Sequence, residues 1–474
     1  MHGHGIRTME VATSVSTPVV AGSGICFAVG TAPVHSVNGK VNVPIMAQNF
    51  SEAVTLGYSE DWEKYSLCEV MDSHFKLYGI GPVIFVNVLD PKKHKKVVPA
   101  TEMIIKDKKV ALPFEAIKDS LEVKDDAGTK TYKIGVDYEA FYDNGSLVVE
   151  VLEGSAITSQ KLKVGYSAVD PSMVTDADII GGFNVSTKET TGFELIDKVF
   201  PMFGIKPDLL ICPKWSHKPE VAAVMSAKAQ GINGIFKAKA LIDVDTKTVK
   251  HYADVPVWKK AQNINSKSQV LCFPKGKLGN KIYHLSTQMA GLMARVDAKN
   301  GCPCESPSNK SLQINSTVLE DGTEVALDLQ QANFLNASGV VTAINFVGGF
   351  VLWGNESACF PYETDVKDYF ICVSRMFEWV ASSVTLSYWK KLDGKFTRRL
   401  VDSIVDGLNI WLNGLTSEEK LLGGRIEFKE EENTTAALMA GKAVFHIYMT
   451  PPSPAKELEF ILEYDTAYIK AALV

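Results

Sequence analysis

The chain has 474 residues, 46% of them hydrophobic and 22% charged, with 49 basic against 55 acidic side chains and a formal net charge of −6. That length holds about three domains of roughly 150 residues and a large buried core. The composition excludes a disordered acidic tail, and a chain that is not basic gives no electrostatic ground for nucleic-acid binding.

The opening residues MHGHGIRTMEV show no basic start followed by an apolar core, and no run of 18 or more apolar residues occurs, so neither a signal peptide nor a membrane span is expected. Residues 1–25 alternate weakly and are rich in small and β-branched side chains (EVATSVSTPVVAGSG), which predicts an extended arm. From 26 to 95 the order is strand (ICFAVGTAP), loop, helix around 62–77 and buried strand (PVIFVNVL), an α/β unit. Residues 96–168 change character. The short runs EMIIKDKKVAL, KTYKIGV, SLVVEVLE and QKLKVGYSA, separated by DDAG, DNG and EGS turns, predict an antiparallel β insertion, with Asp143-Asn144-Gly145 as a hairpin turn.

Between 176 and 360 strands and helices alternate: DLLICP, a helix from Pro219, GIFKAKALIDV, a short helix at 256–263, QVLCFP and a helix at 282–298. This spacing predicts a parallel or mixed sheet covered by helices, with VVTAINFVGGFVLW (340–353) as one or two buried strands. In 366–391 Val366, Tyr369, Phe370, Val373, Met376, Phe377, Val380 and Val384 recur at helical spacing. Val401, Ile404, Val405, Leu408, Trp411, Leu412 and Leu415 form a second stripe, Thr416 and Glu419 match a capping box for a further turn that Gly423-Gly424 ends, and strands RIEFKEE and AVFHIYM flank a short helix at 434–440.

After the proline cluster PPSP comes ELEFILEYD. Leu458, Phe460, Leu462 and Tyr464 would share one face, and Glu459, Glu463 and Asp465 the other, the pattern of a half-buried strand. A lone strand is unstable in water, so its partner lies elsewhere in this chain or in another chain.

Residues that could carry chemistry do not converge. Gly79-Ile80-Gly81 precedes a strand and lacks a third glycine, and PKGKLGNK (274–281) has the composition of a phosphate loop without its order. In CPKWSH (212–217) Lys214, Ser216 and His217 stand in a loop before a helix, and polar side chains at the surface ahead of a helix start are the simpler reading than a nucleophile–base pair of the adjacent Ser216 and His217. His2 and His4 read as part of a mobile tail. Cys302-Pro303-Cys304 has no second Cys/His pair nearby, and the other cysteines sit in apolar runs as small hydrophobes. Glu430-Glu431-Glu432 and Glu418-Glu419 read as solvated ends of elements. Lys390, Lys391, Arg398 and Arg399, around the Asp393-Gly394 turn, are either a solvated tip or a docking surface for an acidic partner.

Four stretches resemble the sheath proteins of contractile phage tails and R-type bacteriocins: HGIRTMEV…VVAGSGICFAVGTAP, HFKLYGIGPVIFVNVLD, NFLNASGVVTAINFVGGFVLWGNES, and YFICVSRMFEWVASSV with RRLVDSIVDGLNIWLNGL…LLGGRIEF. The resemblance covers the chain except for 96–168. Two positions depart from the pattern: Ser374-Arg375 stands where a double arginine is frequent, and Asn355-Glu356-Ser357 where an Arg-Thr pair follows the WG.

The resemblance implies a multidomain α/β and α+β chain, with an N-terminal arm (1–25), an α/β domain with a mixed sheet (26–95 and 169–365), an antiparallel β insertion domain (96–168), a C-terminal α+β sheath domain (366–452) and a C-terminal strand arm (453–474). It implies a non-enzymatic subunit without cofactor or metal. Hexameric rings would stack around an inner tube and meet baseplate and tail terminator proteins, with no nucleic acid bound and no membrane insertion. Assembly would occur in the bacterial cytoplasm, as part of a phage tail or tail-like particle. Two arms would add strands to neighbouring subunits: about Thr8–Ser14, centred on Met9, Glu10, Val11 and Ala12, and Leu458–Thr466, with Leu458, Phe460, Ile461, Leu462 and Tyr464. A sheet from 425–430 and 443–449 would receive them, and Lys390, Lys391, Arg398 and Arg399 would face the tube. The alternatives are an α/β enzyme with a β accessory domain and a surface adhesin that uses the β insertion.

Overall fold

A computed structural model describes residues 18–473. Its centre is a mixed sheet of β1 (Cys26–Gly30), β2 (Ile45–Ala47), β3 (Val83–Asn87), β4 (Leu209–Ile211), β5 (Lys239–Asp243), β6 (Gln269–Cys272), β7 (Val340–Asn345) and β8 (Phe350–Trp353), in the order β8-β7-β6-β5-β4-β1-β3-β2. The six inner strands are parallel, and β2 and β8 run antiparallel at the edges. Strands buried on both faces are predominantly apolar, as CFAVG is throughout and VIFVN is up to its last residue, Asn87. One face packs on α1 (Leu285–Asn300), where Gly291 lets the helix approach: a Cβ there would lie 2.5 Å from the Tyr78 ring. The other face packs on helix Pro219–Gln230 through Val221, Met225 and Ala229.

Residues 95–169 form two three-stranded antiparallel sheets, Lys95–Ile104 with Lys161–Val169 and Glu122–Lys124, and Lys109–Pro113 with Ser146–Val151 and Tyr138–Asp143. They enclose a separate cluster that includes Leu112, Leu147, Val149, Leu162 and Val164. Asn144 and Gly145 both have positive φ, as a two-residue hairpin turn requires. KTYKIGV is not a strand; only isolated bridges at Thr131 and Ile134 occur there. Side-chain carboxylates take two of its backbone donors instead: Asp125 accepts from Lys130 and Asp137 from Lys133.

The C-terminal part holds α2 (Ile371–Tyr388), α3 (Arg398–Ser417) and a hairpin of β9 (Gly423–Glu427) and β10 (His446–Thr450), with helix Thr435–Met439 between the two strands. Met376, Trp379, Val380, Leu412, Leu415 and Leu421 form its core with Ala21 and Cys302. The stripe over 366–391 is interrupted. Val366–Tyr369 is a separate turn and Phe370 is extended, because 355–357 pairs there: Ser357 N–H donates to Tyr369 and Ile371 N–H to Asn355. The capping box at Thr416 and Glu419 does not form either. The Thr416 hydroxyl donates back to the Leu412 carbonyl (2.9 Å), and Glu419 ends the helix in the left-handed region (φ 58°).

Candidate assembly surfaces

Met9, Glu10, Val11 and Ala12 lie outside the described residues, but the segment that follows them is held in detail. Trp379, Ser383 and Ser387 stand four apart on α2, so they rise about 6 Å per step, close to the repeat of two extended residues. They bind the arm root at that repeat: Ser387 Oγ accepts from Val19 N–H (2.7 Å), Ser383 Oγ from Ala21 N–H (3.0 Å), and Trp379 Nε1 donates to the Ala21 carbonyl (2.8 Å). Further on, Ser23 Oγ donates to Asp297 on α1 (2.6 Å), and Asp208, just before β4, accepts from the N–H groups of Gly24 (3.1 Å) and Ile25 (2.7 Å). Gly24 is left-handed (φ +73°), and a Cβ there would lie 2.6 Å from Ala294 Cα of α1.

Arg375 of α2 closes this joint. It is 3% exposed and donates to Asp208 (2.8 Å) and through both terminal nitrogens to Asp297, which is 1% exposed. Charges this buried are tolerable only when paired and hydrogen-bonded. The two carboxylates hold Arg375 firmly protonated, while burial pushes the Asp297 carboxyl up against the pull of the arginine. Lys206, also buried, adds a second positive charge to the group, and its own ammonium is pushed down by burial. At Ser374, Lys239 of β5 donates its ammonium to the hydroxyl (2.6 Å) and to Glu378 (2.8 Å), so a lysine from the sheet supplies the second cation along α2.

Leu458, Phe460, Ile461, Leu462 and Tyr464 are 71–95% exposed, and the stretch around them has no strand partner among the described residues. Residues 467–473, read from sequence as part of a strand arm, form the short helix Ala467–Leu473. The root of this tail is anchored: Pro451 is buried, and Lys456 pairs with the buried Glu356 (2.5 Å) and lies over Phe360. The β9–β10 hairpin has only two strands. Asn409 of α3 accepts from the N–H of Ile426 (3.0 Å) and donates to its carbonyl (3.4 Å), so a side chain occupies part of the β9 edge, while β10 has a strand on one side only.

Lys390, Lys391, Arg398 and Arg399 are exposed around one tip between α2 and α3. Arg398 pairs with Asp402 (2.9 Å). Trp389, Leu392 and Phe396 are exposed in the same tip, which is therefore amphipathic. Two arginines in the first turn of α3 oppose the helix dipole, a local cost that the Arg398–Asp402 pair offsets for one of them. In the loop 212–217, Ser216 is buried on Asp243 (3.0 Å) and Lys214 is bonded to Glu63, so neither is placed with His217 as a nucleophile–base pair. No group of three or more His, Cys, Asp or Glu side chains suited to a metal ion occurs among the described residues.

No family model matches the chain. It is 29% identical over 484 aligned residues to the tail sheath protein of Burkholderia phage BcepMu, covering 98% of this chain and 97% of that one. Along nearly its whole length the chain is similar to a contractile tail sheath protein. It is also 25% identical over 294 residues to the tail sheath protein of Escherichia phage P2, covering 60% and 69% of the two chains. Its fold matches the contracted sheath complex of the extracellular contractile injection system PVC with a TM-score of 0.60 over 99% of both chains, at 11% identity. The chain is a structural sheath subunit, and the mixed α/β multidomain architecture with several sheets is the architecture of sheath proteins. Sequence reading missed the residues that hold its N-terminal root. Ser383 and Ser387 were legible as small polar residues at i, i+4 on an apolar helix, and Lys239 as a charge inside the apolar run AKALID. Asp208, Asp297 and Arg375 carry no local signal.

Proposed function

We propose that this sheath subunit polymerises as hexameric rings stacked around an inner tube and contracts to drive the tube through a target cell envelope. The observation that carries this reading is the exposed, alternating Leu458–Tyr464 segment in a chain whose C-terminal hairpin has only two strands. A copy donating this segment along β10 of a neighbour gains a row of backbone hydrogen bonds and buries Phe460 and Leu462. The arm around Met9–Ala12 would serve another neighbour. A strand arriving at β9 must displace the Asn409 amide from Ile426, which makes β10 the readier edge.

On this reading the arms are 1–25 and 453–474, the α/β domain is 26–95 with 169–365, the C-terminal domain is 366–452, and the 96–168 insertion projects outward. The tip with Lys390, Lys391, Arg398 and Arg399 faces the tube, and its apolar residues give the contact more than charge. Baseplate and tail terminator proteins bound the polymer, which is assembled in the bacterial cytoplasm as part of a phage tail or tail-like particle. Its work is mechanical, as rigid subunits rotate while the strand mesh keeps them joined, and no catalytic step or cofactor is assigned. The test is deletion of 453–474, read by sedimentation and negative-stain microscopy. The truncated chain should keep its thermal midpoint and form no long sheaths; long, stable sheaths from it would end the strand-mesh reading.

A further inference from the structure

A cleft of about 1310 Å³ opens beside the β2 edge of the sheet, between the 34–43 loop, the insertion strands and the 182–191 hairpin. Five lysines line it, Lys92, Lys95, Lys118, Lys188 and Lys198, against three carboxylates, Asp90, Asp119 and Glu189, a surplus of two positive charges. None of the five makes an ion pair among the described residues. Their neighbours do: Lys93 pairs with Asp178 and Lys96 with Asp170, while Lys92 and Lys95 stay unpaired at the cleft. His35 also lines the cleft. It is 7% exposed, its Nε2 is bonded to the Phe114 carbonyl (2.9 Å), and its Nδ1 has no partner.

Elsewhere the chain carries one run of three consecutive glutamates, Glu430-Glu431-Glu432, all exposed. The turn that bears them is rigid, because the buried Asn433 donates to the carbonyls of Lys429 (2.8 Å) and Val444 (2.9 Å) and accepts from the N–H of Val444 (2.8 Å). His446 takes Glu432, which leaves Glu430 and Glu431 without an ion pair among the described residues. The turn does not line the cleft of its own chain, so the two can meet only between copies.

We infer that the lysine-lined cleft is a contact between sheath subunits and receives the Glu430–Glu432 turn of a second copy. The inference rests on the sheath reading, which surrounds every subunit with copies of itself. Charge complementarity favours this occupant, and the rigid turn loses little freedom on docking. A polyanionic carbohydrate is the competing occupant.

The test uses the full chain with the triple K92E/K188E/K198E, the double E430K/E431K and their combination. Assembly is followed by sedimentation and negative-stain microscopy, with thermal midpoints as the folding control and heparin-agarose retention in parallel. Each charge reversal should raise the concentration needed for assembly by roughly tenfold, and the combination should restore it to within about threefold of wild type. Wild-type assembly by either reversed set, or a combination no better than its parts, overturns the inference. A triple that assembles normally but loses heparin retention overturns it in favour of the carbohydrate. A wild-type chain that forms no polymer overturns both this and the sheath reading, whereas a polymerising wild type with indifferent variants overturns this inference alone.

Discussion

Replacing Arg375 with methionine tests whether the N-terminal root is anchored by charge. Arg375 is 3% exposed and pairs with Asp208 and Asp297, which are 5% and 1% exposed. Methionine fills much of the same volume, so the main consequence is two buried carboxylates facing each other with Lys206 as the nearest compensation. Breaking a buried pair from one side costs about 3–5 kcal/mol, a large part of the roughly 5–15 kcal/mol that holds a folded domain. The cost should depend on pH. Without the guanidinium the pKa of the Asp297 carboxyl rises further above its unfolded value, so the folded variant binds the proton more tightly than the unfolded one. Its stability is then lost as pH rises through the raised pKa and recovered as pH falls. Urea unfolding at pH 5.5 and pH 8 measures this. The variant should be weakened at both and more so at pH 8, and adding D297N should return part of the loss at pH 8. A loss under about 1 kcal/mol, or one that deepens towards pH 5.5, would refute the reasoning.

Three further outcomes follow from named contacts. Gly24→Ala places a Cβ 2.6 Å from Ala294 Cα at a left-handed residue, so the chain should lose about 2–4 kcal/mol, visible in urea unfolding. K390E/K391E should leave the thermal midpoint unchanged, since both side chains are exposed, and should weaken assembly on the tube protein in co-sedimentation; unchanged assembly would remove the tip from the tube-facing surface. His74 is fully buried and its imidazole is lowered to about 4 by burial, so between pH 6.5 and 4 the unfolded chain takes up a proton that the folded chain refuses. Stability should fall by about 3 kcal/mol across that range from this residue alone, and His74→Leu should flatten the curve; a parallel curve would discount it.

Much of the framework was readable from period and composition. Continuous apolar runs such as PVIFVNVL and QVLCFP are inner parallel strands, and the Asn144-Gly145 turn does close a hairpin, although its first strand is Tyr138–Asp143 and not KTYKIGV. The misses share a cause. Phe370 continues a helical stripe in sequence, yet pairing with 355–357 holds it extended, and such a partner is invisible to a local window. Arg375 meets Asp208 and Asp297 across 167 and 78 positions, and the lysines of the cleft come together from four separate segments. Period reports which face of one element is buried, and says nothing of which polar groups on different elements converge. The exposed C-terminal segment is a different case: its side chains alternate as in a strand, yet it has no strand partner among the described residues.

The two arm roots converge on one element. The N-terminal root runs along α2 towards its C-terminal end, where Ser387 holds Val19. The C-terminal root is pinned by Lys456 to Glu356, whose segment pairs with Phe370 at the start of α2. A pull on one arm, opposed by a pull on the other, is therefore carried along the 18 residues between, about 27 Å of helix. That helix, ICVSRMFEWVASSVTLSY, contains neither glycine nor proline, the residues at which helices most often kink. Arg375 and the Lys239–Glu378 pair fasten it midway to the central sheet. Under the proposed contraction, in which subunits rotate as rigid bodies while staying joined, such a strut would pass a displacement on, because slack between the roots would absorb it.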